Sequence, residues 1–184
     1  MRAGFGQFKT ATTEYIEFAA QFGATDILLN TPDLPGKGGR WELRDLVKLR
    51  LSIEQWGMKL SALENVPTDF YEDIMLNGPN RDQQIENMIY TIRNIARAGI
   101  PIFGYNWMPS HVWRTPPEVI RGGAIATAFD YEWSKRLPLT HGREYLEAEM
   151  WENLEYWIKI IKPIAEEEGI RLGIPPCDPP VEKL

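Results

Sequence analysis

The residues of this chain that are best suited to binding or catalysis follow short apolar runs. Glu64 comes directly after such a run, residues 60–63, so its carboxylate would lie at the end of a buried segment. A partly desolvated carboxylate suits a metal ion or a sugar hydroxyl. The alternative is a carboxylate that pairs with a neighbouring arginine or caps a loop, and the sequence leaves both open.

Asn106, His111 and Arg114 follow another apolar run. An asparagine amide can donate to and accept from a substrate hydroxyl or carboxylate, or it can satisfy loop backbone. A lone loop histidine is more often a surface residue than a ligand. Arg114 is better placed to hold an anionic group, because a guanidinium binds an anion through two parallel hydrogen bonds. We therefore predict Glu64, Asn106, His111 and Arg114 as substrate-binding residues and assign no catalytic residue.

Cys177 and Asp178 are the third group of interest, close to the last residue of the printed sequence. A thiolate and a carboxylate have the softness and charge for a transition metal. Two adjacent residues do not make a site, so spacing alone predicts a metal here only weakly.

The elements that must position these residues follow an alternating pattern. Four amphipathic stretches each pass through one glycine into a short apolar run; the glycines are Gly23, Gly57, Gly99 and Gly169. A glycine just past a helix takes the left-handed conformation without penalty, and a short run rich in Ile, Leu, Val and Phe fits a strand buried on both faces. The pattern predicts strands that turn polar at Asn30, Glu64-Asn65, Asn106 and Cys177-Asp178.

The helices are predicted from their apolar stripes. The first covers about Thr13 to Phe22, with Thr12 or Thr13 as its N-cap, and its apolar face is predicted to hold Tyr15, Phe18, Ala19 and Phe22. In the later three helices the stripes are Leu46, Leu49, Ile53 and Trp56; Ile85, Met88, Ile92 and Ile95; and Met150, Leu154, Trp157, Ile161 and Ile164.

Met1 to Phe8 adds a first strand, so we predict an α/β fold with about five parallel strands and four helices. Right-handed crossovers allow an open doubly wound sheet or a closed barrel. Long polar strand-to-helix loops, and the lack of a phosphate-binding glycine motif after the first strand, favour the barrel. We predict part of a (β/α) TIM-type barrel, with its site at the carboxyl ends of the strands.

The length sets a limit on this barrel. The 184 residues suffice for one domain, 1–184, whereas a complete eight-fold barrel usually takes about 250 residues. The expectation is therefore the N-terminal part of a barrel, completed by a missing C-terminal half or by homo-oligomerisation. Residues 107–145, rich in proline, glycine and aromatic residues, are predicted as an ordered insertion after strand four.

Composition excludes several classes of protein. The net charge is -6 and the basic residues are spread along the chain, which argues against nucleic acid as a partner. No signal-peptide core and no long apolar run appear, so we expect no membrane partner and a soluble cytoplasmic protein. The single cysteine excludes an internal disulfide and fits a reducing compartment.

The motifs, in their order, resemble the mannonate dehydratase family. They are Glu64-Asn65-Val66-Pro67, Tyr105-Asn106-Trp107-Met108-Pro109, Trp113-Arg114-Thr115 and Asp178-Pro179-Pro180. The resemblance runs along nearly the whole chain but covers only the N-terminal half of the family's length. It implies a xylose-isomerase-like barrel that dehydrates D-mannonate, a small sugar acid, to 2-keto-3-deoxy-D-gluconate in glucuronate and hexuronate catabolism, with Fe(II) or Mn(II) as cofactor.

The chain departs from the family pattern at two places. The family's fifth strand ends in a metal-binding histidine two positions before the first Asp of Asp-Asp-Pro-Pro, and this chain has Pro175 at the histidine position. The family's Arg-Trp near the first strand has no counterpart in Gly4-Phe5-Gly6. The other ligands and the proposed catalytic residues belong to the other half, so the resemblance predicts that this chain alone is inactive.

Two other hypotheses stay open at this point. One is a sugar isomerase or epimerase of the same barrel superfamily, in which a metal-binding carboxylate such as Glu64 would dominate. The other is a non-catalytic half-barrel that binds sugar acids weakly or associates through its open sheet edges.

Overall fold

A computed structural model describes residues 1–179 and 181; Pro180, the last residue of the Asp-Pro-Pro motif, lies outside this range. Its centre is a five-stranded parallel sheet in the order β1-β2-β3-β4-β7. These strands are the five predicted from the sequence. Their bounds are β1 Gly4–Phe8, β2 Asp26–Asn30, β3 Lys59–Glu64, β4 Ile102–Gly104 and β7 Arg171–Gly173.

The four predicted helices are present, and two short ones are additional. The predicted helices are α1 Thr13–Gln21, α2 Leu43–Glu54, α4 Arg81–Arg97 and α6 Glu147–Glu167; the short ones are α3 Glu72–Leu76 and α5 Tyr131–Ser134. Thr12 caps α1 by accepting from the Tyr15 backbone N–H at 3.3 Å. The glycine after each predicted helix has a φ between +67° and +80°, as the left-handed helix end requires.

The order of the strands separates the barrel from the open sheet. The five strands lie side by side in the order in which they occur in the chain, whereas a doubly wound sheet reverses that order at a switch point. A sequential parallel sheet with right-handed crossovers carries its helices on one face, as a barrel does. The prediction of a partial (β/α) barrel is confirmed.

Two neighbouring register rows show the two faces of the sheet. One row, Leu29, Leu63, Phe103 and Leu172, is apolar, and the first three of its side chains are fully buried in the core with the helices. The next row, Asn30, Glu64, Gly104 and Gly173, points to the opposite face because successive side chains alternate. Polar side chains and glycines therefore line the inner face near the carboxyl end.

Helix α1 corrects one prediction. Ile16 and Ala19 are its buried residues, whereas the predicted aromatic residues Tyr15, Phe18 and Phe22 are exposed. Strand β1 has a single neighbour in the described sheet, so part of the aromatic stripe packs sideways on that strand instead of under the sheet. Phe18 lies 5.5 Å from Phe5 and Tyr15 stacks on Phe8 at 4.8 Å, between ring centroids.

The predicted insertion contains regular structure. Strands β5 Thr115–Val119 and β6 Ile125–Ala128 form an antiparallel hairpin, which is followed by α5. The sequence did not predict this hairpin, because its first strand contains Pro116 and Pro117 and proline is unusual in strands. An edge strand tolerates proline. Trp113 lies 6.4 Å from Phe129 and 6.2 Å from Trp133, so an aromatic cluster supports the base of the hairpin.

No helix within the described part of the chain is long and apolar enough to cross a membrane.

Candidate functional site

A cavity of about 870 Å³ lies at the carboxyl ends of the strands. Its walls come from the segments that leave four neighbouring strands: residues 9–10, 30–34, 65–68 and 106–112, together with Tyr71. Segments from different strands converge here because parallel strands end at one edge of the sheet. Of the predicted substrate-binding residues, the cavity wall includes Asn106 and His111.

Three asparagines mark the ends of β2, β3 and β4 in the wall of this cavity. The Nδ2 of Asn65 lies 3.4 Å from Oδ1 of Asn30, which also accepts from the Thr31 hydroxyl at 2.8 Å. The Oδ1 atoms of Asn65 and Asn106 are buried and have no hydrogen-bond partner among the residues that the structure describes. Buried polar atoms are nearly always paired, so these two oxygens are acceptors whose hydrogen-bonding capacity the described residues leave unused.

Backbone strain is concentrated around the same edge of the sheet. Four non-glycine residues here have positive φ angles: Gln7 +70°, Thr31 +44°, Asn65 +67° and His111 +61°. A β-branched residue such as Thr31 rarely adopts this conformation. Strained residues persist where the surrounding structure holds them, and they cluster at binding sites.

Glu64 faces the centre of the partial barrel and does not line the cavity. Its Oε2 accepts from Nε2 of Gln7 at 3.0 Å, across the top of β2. Gln7 lies at a register shift in β1, and such an irregularity redirects a side chain. Glu64 therefore has a side-chain partner, a glutamine in place of the arginine considered from the sequence.

His111 is exposed, and its Nδ1 lies 3.3 Å from the Thr68 hydroxyl. This contact joins the insertion to the segment after β3. Its Nε2 has no partner within the described part of the chain.

Arg114 is outside the cavity wall, where it forms an ion pair. Its Nη1 and Nη2 donate to the two carboxylate oxygens of Asp178 at 3.0 Å and 2.6 Å. The hydrogen bonds from Arg114 hold the pKa of Asp178 below its ordinary value. The guanidinium that we predicted as an anion anchor is therefore already occupied by a carboxylate of the same chain.

The same ion pair affects whether Asp178 and its neighbours can bind the expected metal ion. Both oxygens of Asp178 are engaged by Arg114, Cys177 is exposed, and Pro175 has no side-chain donor atom. The described residues contain no group of three or more His, Cys, Asp or Glu side chains that could hold an ion. Pro175, Cys177 and Asp178 therefore do not fit a transition metal.

Tyr71 is a cavity residue that the sequence reasoning missed. It is almost fully buried, and burial raises the pKa of its phenol to about 12, against the opposing effect of a hydrogen bond with the Asn106 backbone. The phenol is therefore a hydrogen-bond donor throughout the neutral range. Nothing in the local sequence singled it out, because it lies in the connection between β3 and α4 and enters the cavity only through packing.

Lys9, Thr10 and Asn65 were also missed as site residues. A signal was present for Asn65, which stands directly after Glu64 at a predicted strand end. Lys9 stands directly after the first strand, where the same reasoning applies.

The model of the D-mannonate dehydratase family (UxuA) matches this chain over residues 1–137 and 136–184, that is, over its full length. The chain belongs to the D-mannonate dehydratase family. Mannonate dehydratase of Streptococcus pneumoniae (strain 70585) is 32% identical over 202 aligned residues, which cover 96% of this chain and 54% of that protein. The chain thus spans about half the length of this dehydratase.

Solved structures agree with the family and with the fold. The crystal structure of mannonate dehydratase from Streptococcus suis serotype 2 matches with a TM-score of 0.80 and 34% identity, over 98% of this chain and 54% of that one. D-Psicose 3-epimerase from Clostridium cellulolyticum H10 matches with a TM-score of 0.58 and 14% identity, over 94% and 51%. The second likeness shows the shared fold alone.

Proposed function

We propose that this chain forms the substrate-binding wall of a mannonate dehydratase, a hydro-lyase that acts on D-mannonate. One observation carries the proposal: Asn65 and Asn106, whose buried amide oxygens have no partner among the described residues, lie in the wall of a cavity at the strand ends of a family member. A sugar acid carries a row of hydroxyl groups, and each can donate to such an oxygen. Binding would therefore relieve the cost of two unpaired acceptors.

The polar groups around the cavity suit this class of ligand. Tyr71, protonated at neutral pH, supplies a donor, and the amide groups of Asn30, Asn65 and Asn106 can both donate and accept. A polyol needs this mixture because every hydroxyl is a donor and an acceptor at once.

The dehydration itself is proposed for family members of the relatives' full length. Loss of water from D-mannonate requires removal of the proton next to the carboxylate and departure of a hydroxyl. The described residues do not form a metal-binding group, and no acid and base pair is assigned among them. The Fe(II) or Mn(II) cofactor, the role in glucuronate breakdown, the cytoplasmic location and the homo-oligomer stay predictions.

The isomerase and epimerase hypothesis receives no separate support, because the epimerase structures share the fold alone. A non-catalytic half-barrel that binds sugar acids differs from our proposal only in lacking a part in dehydration.

The test is a titration of the ¹⁵N-labelled chain with D-mannonate, followed through the side-chain amide signals in NMR spectra. We expect the signals of Asn65 and Asn106 to shift in a saturable way. Asn94 and Asn153 are internal controls, because their amides are buried and donate to backbone carbonyls of Trp41 and Met75 at 2.9 Å each. Equal shifts in all four, or none in the first two, would disprove the binding site.

A second measurement addresses catalysis. We expect the chain to form no 2-keto-3-deoxy-D-gluconate from D-mannonate in the presence of Mn(II). Product formed by the purified chain would show that it is more than a binding wall.

A further inference from the structure

The cavity contains one group whose chemistry the amides do not explain. Lys9 is the single lysine or arginine among the described residues of the cavity wall, and it follows Phe8 at the end of β1. No hydrogen bond or ion pair engages its ammonium group, a compact cationic group, within the described part of the chain.

The other basic side chains near the site already have side-chain partners. Arg114 is bound to Asp178 through both terminal nitrogens. The Nδ1 of His111 contacts the Thr68 hydroxyl. Within the described cavity wall, Lys9 is therefore the lysine or arginine that no other side chain engages.

The wall also contains one carboxylate, Asp33, in the segment after β2. It forms no ion pair with Lys9 within 4.0 Å, so the ammonium group is not neutralised in place. An anionic group in the cavity would be repelled by Asp33 and attracted by Lys9. This favours a position beside the segment after β1 over one beside the segment after β2.

Lys9 and the unpaired amide oxygens lie at opposite ends of the cavity wall. The strands run in the order β1, β2, β3 and β4. Neighbouring strands are about 4.8 Å apart, so the ends of β1 and β3 are separated by roughly 10 Å. A lysine side chain together with an extended six-carbon acid can span that separation. The positive charge lies on one side and the hydroxyl acceptors on the other.

We propose that Lys9 binds the carboxylate of the sugar acid and thereby orients it, with the carboxylate over β1 and the hydroxyl chain over β3 and β4. This inference rests on the proposed function, since it assigns an orientation within the same site. It makes Lys9 the residue that selects an aldonic acid over the corresponding neutral polyol.

The experiment compares D-mannonate with D-mannitol, which has a similar hydroxyl chain and no carboxylate, in binding titrations of the 184-residue chain. We expect D-mannonate to bind more tightly. Lys9→Gln should weaken D-mannonate binding about tenfold, to the level of D-mannitol, and leave D-mannitol unchanged, because a hydrogen bond between charged groups is lost. Lys9→Arg should retain most of the preference.

Lys48→Gln is the matched control, since Lys48 is an exposed residue of α2 outside the cavity wall and its loss changes the net charge equally. Equal weakening of both ligands by Lys9→Gln would assign Lys9 a structural role and overturn the inference. D-Mannonate binding that Lys9→Gln does not change would overturn it as well, while the proposed function would stand. Failure of the unmodified chain to bind either ligand would overturn both.

Discussion

Arg114 holds Asp178 through two parallel hydrogen bonds, Nη1 to Oδ1 at 3.0 Å and Nη2 to Oδ2 at 2.6 Å. The pair joins the insertion after β4 to the segment after β7, across 64 residues of sequence. Both side chains are partly exposed, so the pair contributes little to global stability. Its importance is that it engages both carboxylate oxygens of Asp178, which are then not available to a metal ion.

The first prediction concerns the ionisation of Asp178. Its pKa lies below the ordinary value of 3.8 because Arg114 stabilises the carboxylate. Arg114→Gln should raise this pKa towards the ordinary value, as measured by NMR titration of the side-chain carboxyl carbon. Arg143→Gln, which removes a similar bidentate pair with Glu149, is the control and should leave Asp178 unchanged. An unchanged titration in Arg114→Gln would mean that the pair does not form in solution.

The second prediction concerns metal. Transition-metal sites in proteins usually need three or four ligating side chains, and the described residues offer no such group. We expect no saturable Mn(II) binding at micromolar concentrations, as measured by electron paramagnetic resonance of free Mn(II). A tight site that disappears in Cys177→Ala or Asp178→Asn would contradict the conclusion that Cys177 and Asp178 do not bind a transition metal.

The third prediction separates binding from stability at Asn106. Its buried Oδ1 has no partner among the described residues, so Asn106→Leu should leave the free energy of unfolding unchanged or raise it by about 1 kcal/mol. The same change should weaken D-mannonate binding about tenfold. Urea unfolding and ligand titration measure the two effects.

Asn94→Leu is the matched control for this prediction. Asn94 is also buried, but its Nδ2 donates to the Trp41 carbonyl at 2.9 Å. This variant should lose about 1–3 kcal/mol of stability and keep the affinity of any molecules that fold. A large loss of stability in Asn106→Leu would assign Asn106 to the fold instead of to the ligand.

The fourth prediction concerns the docking of β1. A Cβ atom on Gly6 would lie 2.5 Å from the Leu28 carbonyl oxygen and 2.9 Å from its Cβ. Gly6→Ala should therefore cost about 1–3 kcal/mol in urea unfolding, because the strand must move away from β2. On Gly4 the nearest atom would be at 3.8 Å, so Gly4→Ala should change stability by less than about 1 kcal/mol. Equal effects at the two positions would contradict the register of β1.

The fifth prediction concerns acid stability at the opposite end of the sheet. Asp26 is buried and accepts hydrogen bonds from Ser61 and from Thr25 at 2.6 Å, with Arg2 at 3.3 Å. The hydrogen bond from Ser61 is the largest cause that lowers its pKa below 3.8. A depressed folded-state pKa stabilises the fold above the unfolded value, and that stabilisation is lost as the pH falls through the folded pKa.

Ser61→Ala should therefore reduce the drop in unfolding free energy between about pH 6 and about pH 3. Arg2→Gln should reduce it less, because the arginine is more than half exposed and its charge is screened by solvent. The reverse order would show that the charge of Arg2, and not the Ser61 hydroxyl, sets the pKa of Asp26.

Local patterns in the sequence were sufficient for the framework. The helix-ending glycines and the short apolar runs predicted four of the five parallel strands, since left-handed helix ends and doubly buried strands each impose a local composition; the first strand was predicted separately, from residues Met1 to Phe8. The motifs around Glu64, Asn106, Arg114 and Asp178 also indicated the family without any coordinates. The hairpin of residues 115–128 escaped prediction because two prolines mask its first strand.

Tertiary structure alone decided how the polar residues are used. Arg114 and Asp178 looked like separate candidates for an anion and a metal, and only the fold brings them into contact with each other. Conversely, Tyr71 had no local signal, yet it meets Asn65 and Asn106 in one cavity. Composition and periodicity report which face of an element is buried, whereas the pairing of side chains from distant segments depends on how those elements pack.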